Sequence, residues 1–159
     1  MRVTKASQLQ GIIRLYRDQT GQSEVDMHDV ARFARQRGWP MPRPIDPLER
    51  LASEFSKAAR EELRRDSKTG RPYRANHAFP IKQGATQLYL WVDIDEAPRG
   101  PMQKSLVNRR EQIVGDVLQL TFDAEHWNNI HPDETPIVMP TDFTDDVEWR
   151  MNGEDEQPA

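Results

Sequence analysis

Apolar positions follow a helical period through the first sixty residues of the chain and a period of two between Tyr73 and Ile94. Leu9, Ile12, Ile13 and Tyr16 fall on one helical face; Ser7 with Gln10 forms a capping box that predicts the helix start, and Gly21 predicts its end. A second helix opens at Asp26 and stops at Gly38, with Val30, Ala31, Phe33 and Ala34 inward and Arg32, Arg35 and Arg37 outward. The run from Trp39 to Pro47 holds four prolines in nine residues, so it is expected to be an extended connector. The third helix has Asp46 as N-cap, Pro47 at its first position and Glu49 at the capping-box position. It is expected to run from Leu48 to about Asp66, burying Leu48, Leu51, Ala52, Phe55, Ala58, Ala59 and Leu63.

The alternation then changes. Tyr73, Ala75, His77 and Phe79 lie on one face of a first strand, and Leu88, Leu90, Val92 and Ile94 on one face of a second, with Tyr89 and Trp91 on its reverse. Pro80 to Ala85 is the predicted turn, with Lys82 at an exposed tip. After Ala97 to Pro101, Leu106, Ile113, Leu120 and Trp127 recur every seven residues, with Val117 and Ala124 between them. A helix from Met102 to Asn128 is about 40 Å long at 1.5 Å per residue, long enough either to pack on its own domain or to form a homodimer seam through residues 102–128, with Arg110 interrupting the seam. Residues 133–159 carry nine Asp and Glu against Arg150 alone, with Pro136, Pro140 and Pro158. That composition predicts an extended acidic tail, with 137–139 and 142–149 able to dock and the last seven or so residues disordered.

The pattern as a whole predicts a mostly helical α+β protein: three helices and a β-hairpin over residues 1–97, a long fourth helix over 98–132 and the acidic tail over 133–159. The mean hydropathy of -0.86 implies that part of this length stays unburied. The absence of cysteine excludes disulfides, cysteine zinc sites and thiol nucleophiles. No signal-peptide core opens the chain and no apolar run approaches the roughly 18 residues of a membrane span, so a cytoplasmic protein without a membrane partner is expected.

Charge adds the functional candidates. Residues 1–82 hold seventeen Lys and Arg against ten acids, a net of +7, and residues 83–159 hold five against sixteen, a net of -11. The densest positive stretch is Lys57, Arg60, Arg64, Arg65, Lys68, Arg71 and Arg74, seven cations against Glu61, Glu62 and Asp66; Lys82 extends it onto the hairpin. Clustered cations beside a hairpin are the electrostatic footprint of a phosphate-contacting surface. Tyr89 and Trp91 are able to stack on bases, or to cover the fourth helix.

The order helix, helix, helix, hairpin over roughly residues 5–95 resembles the winged helix-turn-helix fold. The resemblance implies a duplex-DNA reader with its third helix in the major groove and the hairpin over the backbone. Two departures favour phosphate contact over base readout: the connector before the third helix is long, and the cations gather at that helix's end. The segment Asn108 to Asp116 and the acidic tail are also similar to bacterial proteins with no assigned activity, which implies no function. The expected function is therefore non-enzymatic nucleic-acid binding, to duplex DNA, with no cofactor and no metal.

Two alternatives come from other classes. A protein-interaction module would use the fourth helix, Trp91 and the acidic segment as its contact surface. A Mg²⁺-dependent nuclease would use Asp93, Asp95 and Glu96, assisted by His77. His126 and His131 lack the i, i+4 spacing of a helical zinc pair, and no phosphate-loop, dinucleotide, zinc-protease or nucleophile-elbow motif occurs.

Overall fold

A computed structural model describes residues 4–153 as an α+β protein with nine elements. In chain order these are α1 (Lys5–Thr20), α2 (Met27–Gln36), α3 (Pro47–Glu61), β1 (Leu63–Arg65), β2 (Pro72–Arg74), β3 (Asn76–Gln83), β4 (Thr86–Asp93), α4 (Arg99–Ile130) and α5 (Thr144–Gly153). The chain divides into two compact units, Met1–Leu51 and Ala52–Ala159. Among the described residues no helix is long and apolar enough to cross a membrane.

In the first unit, α1 begins before the predicted capping box. Thr4 is the N-cap and its hydroxyl accepts the Ser7 N–H at 3.1 Å. Gly21 closes the helix in the left-handed conformation with φ 68° and donates its N–H to the Arg17 carbonyl. Asp26 caps α2 through the His28 N–H at 2.7 Å. Val30 and Ala34 are buried, and Tyr16 meets Phe33 edge-on with ring centroids 5.3 Å apart. Arg37 lies over the Phe33 ring and donates to the Gln19 amide at 2.8 Å, so this outward arginine is held by α1.

The second unit departs from expectation where α3 ends. The helix stops at Glu61, and Leu63–Arg65 pairs antiparallel with Pro72–Arg74 instead of continuing as helix to Asp66. The loop closing this small hairpin is built on Asp66, whose carboxylate accepts the Lys68 and Thr69 N–H groups at 2.9 and 2.8 Å. These bonds, the Thr69 one first, hold its carboxyl below the usual carboxylate range. Gly70, with φ 71°, donates back to the Asp66 carbonyl.

Ala75 is fully buried and links β2 to β3, its N–H donating to the Glu62 carbonyl and its own carbonyl accepting from Ile94. In the main hairpin His77 faces Val92, Phe79 faces Leu90 and Ile81 faces Leu88, and Tyr73, expected in the same strand as His77, lies in β2 instead. Its turn is shorter than predicted. Gln83 pairs with Thr86, leaving only Gly84 and Ala85, and Gly84 at φ 62° followed by Ala85 at negative φ has the sign pattern of a type II′ turn. Lys82 therefore sits in β3 opposite Gln87, not in the turn. Pro80 also lies within β3, which a strand of a two-stranded sheet tolerates.

The core of this unit is small, with Ala75, His77, Phe79 and Ser105 buried. The stripe predicted to be buried on α3 is not covered: Leu48, Leu51, Phe55 and Leu63 are exposed, Leu48 by 74% and Phe55 by 68%. Amphipathic spacing specifies an apolar face but not what covers it. The first half of α4 packs on β3, where the buried Ser105 hydroxyl donates to the Ala78 carbonyl at 2.9 Å. The acidic segment is not wholly extended. Asp142 caps α5 through the Thr144 N–H and hydroxyl, and Asp145 and Asp146 fill its first turn, where the helix dipole favours anions. Of the last seven or so residues, expected to be disordered, 154–159 lie outside the described residues.

Candidate nucleic-acid interface

Eight cations carried the sequence-based expectation, and the fold sends them to three environments. Arg64, on β1, points at the end of β4. Its guanidinium makes a two-pronged contact with Asp93, at 2.8 and 2.7 Å, and also reaches Asp95 at 2.7 Å and Glu62 at 3.1 Å. Asp95 in turn accepts the Tyr73 phenol at 3.0 and 3.1 Å, and Glu62 accepts the Asn76 amide at 2.8 Å. One arginine thus ties β1, β2, β3 and the β4 exit together. It is a structural hub, and its charge is balanced locally.

The titration of these groups follows from the geometry. Arg64, bonded first to Asp93, then to Asp95 and Glu62, is held well above its already high range. Asp93 is held below its ordinary 3.8, chiefly by Arg64 and then by the Asp95 N–H. Tyr73 is raised above 10.0 by partial desolvation and by its bond to Asp95. A depressed carboxylate stabilises the fold fully above its ordinary value and loses that contribution as pH falls through the folded value. Arg64→Gln is therefore expected to lower the thermal midpoint at neutral pH, and the gap between wild type and variant should shrink as pH is taken below 3.8. Thermal unfolding at a series of acid pH values checks this; a constant gap would mean that Arg64 does not act through Asp93.

The second group is exposed at the corner itself. Lys57 stands 4.0 Å from Glu61, one turn along α3, Arg65 donates to the Gly70 carbonyl at 2.9 Å, and Lys68 projects from the Asp66 loop. The Arg71 carbonyl accepts the Asp66 N–H, and Lys82 is exposed on β3.

The third group converges. Arg60 from the last turn of α3 and Arg74 from the end of β2 line a cavity of about 460 Å³ with Arg109 from α4. The floor is one face of the main hairpin, where Ala78 faces Trp91 across the register and Tyr89 follows on the same face of β4. Ser56 on α3, Asn76 and His77 on β3, and Ser105, Asn108 and Gln112 on α4 complete the lining. No carboxylate lines it. The Arg60 guanidinium lies over the Trp91 ring, 5.3 Å from its centroid. Arg109 is pulled below its usual range, first by partial burial and then by the charge of Arg74, the reverse of what a carboxylate partner does.

Like charges brought together without acids cost folding energy, and the arrangement is complementary to an anion. The guanidinium fork matches phosphate oxygens, while Trp91 and Tyr89 offer ring faces to a planar group.

The residues considered for metal chemistry are placed otherwise. Asp93 and Asp95 are both bonded to Arg64, whose charge occupies the position where a cation would be coordinated. His77 is buried, its Nε2 lying 3.0 Å from the Arg74 carbonyl and donating to it. His131 stacks on Trp127 with centroids 4.3 Å apart. Among the described residues no group of three His, Asp or Glu side chains is placed to hold a metal ion.

Arg109, Asn108 and Gln112 were not among the sequence-derived candidates. The signal that locates them is a polar line at helical spacing, Ser105, Asn108, Arg109 and Gln112, along a helix whose other faces are rich in Leu, Val and Ile. No family of proteins, no curated protein and no solved structure matches this chain.

Proposed function

We propose that the protein binds nucleic acid without catalysing a reaction on it, gripping phosphates with Arg60, Arg74 and Arg109 while Trp91 and Tyr89 stack against a base. The observation that carries this reading is the convergence of three arginines and two aromatic faces in one acid-free cavity. Lys57, Arg65, Lys68 and Lys82 extend the positive field along the strand path and are assigned to phosphate contact that is not sequence-specific. The acidic C-terminal segment, net negative in sequence, weakens non-specific contact.

Recognition of bases by α3 in a major groove, as a winged helix would achieve it, is less well supported. The outward surface of α3 includes Leu51 and Phe55, apolar side chains with no role in hydrogen-bond readout. Those same side chains favour a second reading, in which α3 docks a protein partner.

Fluorescence anisotropy with labelled single-stranded and duplex oligonucleotides tests the proposal. A site neutralising about three phosphates weakens roughly 20- to 40-fold between about 50 and 200 mM salt. Single strands, whose bases reach Trp91 without unpairing, should bind more tightly than duplex. Absence of binding to either at low salt would overturn the reading and leave the docking alternative.

A further inference from the structure

α4 also carries a line of apolar side chains beside its polar one. Ser105, Asn108, Arg109 and Gln112 lie toward β3 and the cavity; Leu106, Ile113 and Leu120 run along the flank of that polar line, and Val107 and Val114 lie further round the helix. All five are exposed. Leu106, Ile113 and Leu120 are spaced by seven, and Arg110, Val117 and Ala124 form the companion line four residues after each preceding member. At 1.5 Å per residue the seam from Leu106 to Trp127 is about 32 Å long. Leu106, Ile113 and Leu120 are exposed, while Val117, Ala124 and Trp127 are half-buried; an uncovered apolar line of this kind marks an association surface.

Charge along the helix identifies the occupant. The first half, Arg99 to Gln112, holds Arg99, Lys104, Arg109 and Arg110 against Glu111, a net of +3; the second, Ile113 to Ile130, holds Asp116, Asp123 and Glu125 with no Lys or Arg, a net of -3. The helix is therefore complementary to itself reversed, and a parallel pair would set like charges side by side.

We infer that two copies of this chain associate through α4 as an antiparallel helical pair. In that alignment Leu106 faces the second copy's Trp127, and Ile113 faces its Leu120. Arg110, which interrupts the seam, falls opposite its Asp123 and beside the small Ala124. A twofold axis makes every such contact occur twice. The pairing uses Leu106, Ile113 and Leu120, none of which lines the cavity, and does not depend on the nucleic-acid reading.

Sedimentation equilibrium on the full chain should return a dimer. Ile113→Asp with Leu120→Asp places two charges in the seam and should raise the dissociation constant by more than about 100-fold, with helix content by circular dichroism unchanged because both positions are exposed in one copy. The chain has no cysteine, so orientation is read by disulfide trapping. Leu106→Cys mixed with Trp127→Cys should cross-link, and Leu106→Cys alone should not. A monomeric wild type, a dimer indifferent to the two aspartates, or efficient cross-linking of Leu106→Cys to itself would each overturn the inference.

Discussion

Replacing Arg60, Arg74 and Arg109 together by glutamine is expected to weaken oligonucleotide binding by on the order of 100-fold and to remove most of its salt dependence. Each guanidinium is one charge-assisted partner for a phosphate oxygen, worth about 1.5–3 kcal/mol, and contributions within one cavity do not add fully. The salt slope should fall by about two to three, because the number of phosphates neutralised falls by the same amount. The control is charge-matched: Arg14→Gln, Arg17→Gln and Arg43→Gln remove the same three charges from residues that do not line the cavity. If binding depends only on overall charge, the two triple variants will weaken equally. Among single changes, Arg109→Gln should cost most, since Arg109 is the partly desolvated cation beside Arg74 and has most to gain from an anion.

Phe79→Ala should destabilise the second unit by about 3–5 kcal/mol, the cost of emptying a buried aromatic site. The unit has little to compensate with: among its described residues the other buried side chains are Ala75, His77 and Ser105. Phe79 faces Leu90 across the hairpin, adjacent on its face to His77 and Val92, so its loss loosens the strands that carry Trp91 and Tyr89. Phe79→Leu, which keeps most of the volume, should cost much less. Denaturant unfolding measures both. A loss below about 1 kcal/mol for the alanine variant would mean that the hairpin face is not the core of this unit.

Local signals were read well from the sequence. Gly21, Asp26, Gly38 and the Asp46-Pro47 pair each act through their own backbone neighbourhood, so their effect on helix ends needs no knowledge of the fold. Alternation likewise placed His77 with Phe79 and Leu88, Leu90 and Val92 on shared faces, but not the register, which the two-residue turn at Gly84 and Ala85 sets. The strand β1 was missed because Leu63 is in helical phase with Phe55 and Ala59, and the competing information is nonlocal: pairing with Pro72–Arg74 and the Arg64 bonds to Asp93 and Asp95. The helix α5 was missed because its acidic composition outweighed its cap, Asp142 with Thr144, which was present in the sequence.

Charge counting found the basic segment but was unable to sort it. Arg64 and Arg65 are adjacent on a three-residue strand, so alternation sends one to the acids at the β4 exit and the other to the Gly70 carbonyl. Arg60 and Arg74 meet Arg109, a partner contributed by a distant helix, only because α4 packs on β3. What sequence reading lacked was therefore the pairing of elements, which decides whether a cation is neutralised or presented. The exposed stripes on α3 and α4 make the same point for apolar residues: period places them on a face, and only the assembled chain reveals that the face is uncovered.

The central claim is that the cavity around Trp91 is where the polyanion binds. The chain has four tryptophans, so a variant carrying Trp39→Phe, Trp127→Phe and Trp149→Phe reports from Trp91 alone. Titrated with a single-stranded oligonucleotide, its emission should be quenched by base stacking, with the same midpoint as the anisotropy of the labelled strand. Anisotropy that rises while Trp91 emission stays constant would place binding elsewhere on the protein and contradict the account.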